Sequence, residues 1–152
     1  MESRYGLTDK HKFDYFPSSA NQTPIKWLLQ VSFPETLKFI IDFTNSAVET
    51  YSQSDYGKED VVKITLHING KEVPQYLSGA IWSMYRGNGS PLVPHVLQSR
   101  HMALEKTLLD YSQIVKSEIL HNILLRILTQ SKSATLTSVV CSVVLANPDK
   151  SY

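Results

Sequence analysis

The chain has 152 residues, 42% of them hydrophobic and 19% charged, with a formal net charge of +1. That length and apolar content suit one domain with its own core and exclude a disordered or fibrous polypeptide. Lys and Arg are scattered without a basic stripe, which excludes the electrostatic footprint of a nucleic-acid or anionic-membrane binder.

Residues 1–23 mix Tyr5, Phe13, Tyr15 and Phe16 with Lys10, His11, Lys12 and Asp14 in no sustained period, and are expected to form an irregular arm lying over a helical face. MESRYGLTDKHKFDYF has no apolar signal-peptide core, and no window reaches the roughly 18 apolar residues of a membrane span, so a cytoplasmic protein is expected. Thr23 as cap and Pro24 as first helical residue start a short helix to Val31 carrying Trp27, Leu28 and Val31. Ser32-Phe33-Pro34-Glu35 reads as a capping box. The helix behind it runs to about Ser52 with Leu37, Ile40, Ile41, Thr44, Ala47, Val48 and Tyr51 on one stripe, broadened by Phe39 and Phe43. So short a link folds the two helices into a hairpin.

SQSDYGKED is a polar break. After it Val62, Ile64, Leu66 and Ile68 alternate with polar residues, Asn69-Gly70 supplies a two-residue turn, and Lys71–Gln75 returns as a strand that Pro74 confines to an edge. This β-hairpin, at about 61–75, reads as an insertion that must rest on the helices or pair with another chain. Tyr76–Arg86 predicts a short helix with Leu77, Ala80, Ile81 and Met84 inward and Trp82 and Tyr85 beside them, and GNGSPLVP then predicts the most flexible internal loop. Pro94–Tyr111 is the expected hub: Leu97, His101, Leu104, Leu108 and Tyr111 recur at helical spacing, widened by Met102, Ala103 and Leu109. Ser117 caps the next helix, with Leu120, Ile123, Leu124, Ile127 and Leu128 buried. Ser133 caps the last, with Leu136, Val139, Val140, Val143 and Val144 buried, and Pro148 stops it. The expected fold is mainly α: antiparallel helical hairpins, solenoid- or bundle-like, forming one domain over 24–148 with an inserted β-hairpin and a tail at 149–152.

No phosphate loop occurs; Gly87-Asn88-Gly89 lacks a third glycine and a preceding strand. One cysteine cannot build a structural zinc site, and HExxH is missing, so no metal and no cofactor are expected. Cys141, inside SVVCSVV, reads as a small buried hydrophobe that forms no intramolecular disulfide and is no activated thiol. His67, His95 and His121 share no spacing, and Ser18-Ser19 and Ser131-Lys132-Ser133 read as turn and cap residues. His101 and Glu105, four apart on one helix, are the speculative polar pair: an acid/base pair of a small hydrolase working with a tyrosine, weighed against the blander reading as internal hydrogen-bond partners. Trp82, Tyr85 and Arg86, with Phe13, Tyr15 and Phe16, are candidate interface anchors for a protein partner, weighed against plain packing between helices.

FDYFPSSANQTPIKWLLQ, FPETLKFIIDFTNSAVETY, IWSMYRGNGSPLVPHVLQSRHMALEKTLL and SKSATLTSVVCSVVLANPDK, in that order, resemble a segment of large bacterial ATP-binding proteins of the STAND/NACHT signalling type used in phage defence. In such proteins a nucleotide-binding domain precedes a long helical region. The resemblance implies a helical segment of a larger parent chain that neither binds nor hydrolyses ATP alone, and it carries over no catalytic residue. The expected function is thus a non-catalytic scaffold or sensor-type interaction domain, partnered by another protein or by the rest of its parent chain. A homodimer through the hairpin edge or the N-terminal arm is a further expectation.

Overall fold

A computed structural model describes residues 4–7, 14–85 and 93–150. In chain order these form α1 (Ile25–Val31), α2 (Phe33–Gln53), α3 (Gly57–Asp60), β1 (Val62–Ile68), β2 (Lys71–Leu77), α4 (Gly79–Trp82), α5 (His95–Ile114), α6 (Ser117–Gln130), α7 (Ala134–Ala146) and a closing 3₁₀ turn, Pro148–Lys150. The fold is mainly α with one antiparallel β-hairpin inserted between its helices.

The stripe of α2 is buried as its spacing requires, from Leu37 through Ile40, Ile41, Thr44, Ala47 and Val48 to Tyr51. On α1 Leu28 packs against the core as expected, but the fully buried residues are Ile25 and Leu29, while Trp27 and Val31 face solvent. Seven residues hold only two turns, so apolar residues all round leave the phase of the buried face undecided by spacing alone. Helix starts also differ from expectation. Pro24 is itself the N-cap of α1, leaving the Thr23 hydroxyl buried without a hydrogen bond. The Ser32 hydroxyl caps no backbone N–H; it donates to Glu35 Oε2 at 2.6 Å, the two box residues satisfying each other. Pro94 and Lys116, rather than Ser117, are the N-caps of α5 and α6. Ser133 does cap α7, accepting from Thr135 N at 3.2 Å.

The hairpin has the expected register, with Ile68 opposite Lys71 and Val62 opposite Leu77. Asn69 (φ 49°) and Gly70 (φ 75°) turn it, both in the left-handed region that a two-residue turn demands. The second strand extends to Leu77, so Tyr76 and Leu77 are strand rather than helix, and α4 shrinks to four residues capped by Ser78, which accepts from Ile81 N at 3.0 Å. The cause is tertiary. Tyr76 N donates to Lys132 O at 2.8 Å and Gln75 Nε2 donates to Thr137 Oγ1 at 2.7 Å, which holds the end of β2 extended against the link between α6 and α7. Asn45 of α2 clamps the same link, accepting from Lys132 N and donating to Gln130 O.

Two apolar clusters make the interior. One joins Ile25, Leu37 and Ile41 to Leu104, Leu108, Leu120, Ile127, Val139 and Val143; the other joins Tyr5, Val48 and Tyr51 to Ile81, Met84, Val93, Leu97 and Ala134. Both α2 and α5 run through both clusters, so α5 is the hub expected of it. Cys141 is exposed, contrary to the expectation of burial. The inward face of α7 follows Leu136, Val139, Val140 and Val143, and residue 141 points away from it.

Candidate functional site

His101 lies where the two clusters meet, fully buried, between Thr44 of α2 and the chain after α4. Its Nδ1 is 3.3 Å from Met84 O, and a carbonyl only accepts, so Nδ1 carries the proton. Burial pushes the ring's pKa down to about 4, so it is neutral near pH 7; Nε2 then accepts from the Thr44 hydroxyl at 3.0 Å. Both ring nitrogens are spent on partners inside the protein. Glu105 is not its partner. Glu105 Oε1 accepts from the Tyr85 hydroxyl at 2.9 Å and from the Ser142 hydroxyl, tying α5 to the end of the α4 segment and to α7. A cavity of about 330 Å³ beside Glu105 is lined by Ala20, Met102, Lys106 and Leu109.

The interface candidates fall in separate places. Trp82 is 53% exposed and meets Tyr85 edge-on at 6.4 Å, while Tyr85 points its hydroxyl inward to Glu105. Phe16, 67% exposed, packs edge-on against His95 at 5.1 Å, and Tyr15 is also exposed. Phe13 and Arg86 lie outside the described residues, as does most of the GNGSPLVP loop.

Two arrangements escaped the sequence because they join distant segments. The first ties the arm to α5: Ser18 Oγ is 2.8 Å from His95 Nδ1 and 2.7 Å from Gln98 Oε1. A nucleophilic serine would direct its proton at the imidazole, but the Ser18 hydroxyl donates to Gln98 Oε1, and Gln98 faces the same ring nitrogen as Ser18 rather than orienting the ring from its other side. The cluster is therefore a clasp holding the arm down. The second is an open cavity of about 430 Å³ lined by Arg4, Tyr51, Tyr56, Asp60, Gly79, Ala80 and Ser83. Tyr51 donates to Asp60 Oδ2 at 3.0 Å, and the Arg4 guanidinium sits 3.5 Å above the Tyr56 ring centre. Burial and the neighbouring Asp60 raise the Tyr51 phenol to about 12, so it stays a donor throughout the neutral range.

The other outward feature is backbone. The two-residue turn puts Ile68, Leu66, Ile64 and Val62 at the positions that exchange hydrogen bonds with β2, so the N–H and C=O of Lys63, Thr65 and His67 face the opposite way. Pro74, opposite Thr65, has the outward position on β2, where its missing N–H interrupts no ladder bond. β1 pairs with β2 alone among the described residues, and its outer edge is open. Described residues also hold no group of three or more His, Cys, Asp or Glu placed to share a metal ion, and no described helix is long and apolar enough to cross a membrane.

No protein-family model and no curated protein sequence matches the chain.

Proposed function

We propose that this chain is a non-catalytic helical interaction domain, a cytoplasmic scaffold or sensor surface of solenoid character that binds a protein partner. The resemblance of its sequence blocks to STAND/NACHT-type proteins supports reading it as a segment of a larger bacterial ATP-binding protein of phage defence. The observation that carries the interaction reading is the open edge of β1, mounted on the helices through Gln75 and Tyr76 of β2. A strand so held meets a partner with its backbone groups pre-aligned, and an added strand makes main-chain bonds without ordering that edge first. The exposed Trp82 and Phe16 supply aromatic anchors of the kind that dominate interfaces. His101 and Glu105 serve as internal staples in this reading, because their polar atoms are committed to Thr44, Met84, Tyr85 and Ser142.

The second copy of the chain is the first partner to test. Amide exchange is followed at Lys63, Thr65 and His67 over a concentration series, beside sedimentation. Edge pairing slows exchange at these three amides as dimer accumulates, and Thr65→Pro, which removes an outward N–H while sparing the bonds to β2, abolishes both effects. Steady ATP, nucleic-acid or peptide hydrolysis by the purified chain, lost on a single substitution, would refute the non-catalytic reading.

A further inference from the structure

We propose that the cavity between Tyr51, Tyr56 and Asp60 is a receptor for a guanidinium group, an arginine side chain of a protein partner, and that the chain's own Arg4, stacked on its Tyr56 wall, covers that aromatic face until the partner arrives. This is independent of the β1 edge.

The walls have the chemistry that a guanidinium needs. Tyr56, 59% exposed, offers an aromatic face, and the 3.5 Å separation of Arg4 Cζ from its ring centre is stacking distance for a planar cation. Asp60 stands at the rim with Oδ2 accepting from Tyr51, and a carboxylate has acceptor sites to spare for a second donor. Gly79 and Ala80 also line the cavity, and a Cβ built on Gly79 would meet nothing within 4 Å, so the methylene stem of an incoming side chain has room beside it.

The site is held in shape before anything binds. Ser54 Oγ donates to Tyr51 O at 2.6 Å and accepts from Gly57 N at 3.1 Å, folding the chain back at the end of α2 so that Asp60 returns to the Tyr51 hydroxyl. Gly57 is needed for this turn, because a Cβ there would lie 1.8 Å from Tyr51 O.

The Arg4 cover over Tyr56 is displaceable. Arg4 is carried by Tyr5, which stacks on Tyr51 at 4.8 Å with its hydroxyl buried and without a hydrogen bond. An unsatisfied buried hydroxyl opposes docking of the arm, and lifting the arm returns that group to water. A tethered ligand of this kind competes at an effective concentration in the millimolar range, enough to mask the cavity from weak free ligands and too little to resist a partner that gains contacts elsewhere.

The test is titration of N-acetyl-L-arginine amide into the whole chain, followed by chemical shifts of Tyr56, Asp60 and Gly79. Arg4→Ala is expected to bind about twofold or more tightly than the wild type, and adding Asp60→Asn or Tyr56→Ala to Arg4→Ala is expected to abolish the shifts. The matching lysine amide is expected to bind Arg4→Ala several-fold more weakly, lacking the planar face. Equal affinity of wild type and Arg4→Ala, no shift in Arg4→Ala at millimolar probe, or a lysine probe as good as the arginine one would each overturn the assignment. Far-ultraviolet dichroism of each variant establishes that lost binding is not lost fold.

Discussion

A Cβ on residue 57 would lie 1.8 Å from the Tyr51 carbonyl oxygen and 2.6 Å from its carbon, both backbone atoms that no side-chain rotation can move aside. Gly57→Ala must therefore pull the α2–α3 turn apart, and we expect a loss of about 2–4 kcal/mol in urea unfolding, together with loss of the Tyr51–Asp60 bond. His101 makes the second residue-scale prediction. Its pKa is about 4 in the fold against an ordinary value of 6.5, so the unfolded chain binds the extra proton between those limits. Its contribution is whole above pH 6.5 and fades as pH falls toward 4, by about 3 kcal/mol in all. His101→Asn should flatten the upper part of that dependence in the urea midpoint; an unchanged slope would mean that the ring is accessible to solvent protons when folded. The Gly57 turn could not be read locally, whereas helical spacing did place His101 on the inward stripe of α5. Gly57 lies in a polar stretch that resembles any loop, and the hydrogen-bond partner of His101, Thr44, lies 57 residues earlier in the chain, beyond the reach of local spacing.

Among elements, two serines that look alike as sequence caps separate in the structure. Ser133 accepts from the backbone of α7, whereas Ser32 spends its hydroxyl on Glu35. Ser133→Ala should cost about 1 kcal/mol and Ser32→Ala less than about 0.5 kcal/mol, compared side by side by thermal melting. Equal effects would mean that cap identity does not decide the stability of these helix starts. The hairpin shows the opposite case, in which a local signal was sufficient: Asn69-Gly70 between alternating apolar residues specifies turn, register and the faces of both strands. Where that strand ends was not legible, because Tyr76 stays extended only while Lys132 supplies its acceptor.

For the molecule as a whole, the decisive feature is that α2 and α5 pass through both apolar clusters, with Thr44 and His101 facing each other at the seam. Neither cluster can come apart without releasing a helix that supports the other. Unfolding should therefore be a single transition, with helix dichroism and tyrosine fluorescence coinciding, and Leu104→Ala should lower stability by about 2–5 kcal/mol without splitting it. Two resolved steps would show that the clusters fold independently.

The helix periods, the Asn-Gly turn and the Ser133 cap were set by neighbours within a few residues, and the chain alone therefore determined a mainly helical fold with one hairpin. Tertiary packing decided what depends on partners far along the chain: which way the two turns of α1 face, how short α4 becomes, that Cys141 points outward, and that His101 and Glu105 go to different partners. The cavity of Tyr51, Tyr56 and Asp60 belongs to both levels. A glycine turn brings Tyr51, Tyr56 and Asp60 together within ten residues, but Arg4, which stacks on the Tyr56 wall, comes from an arm more than forty residues away, and only the folded chain brings the two into contact.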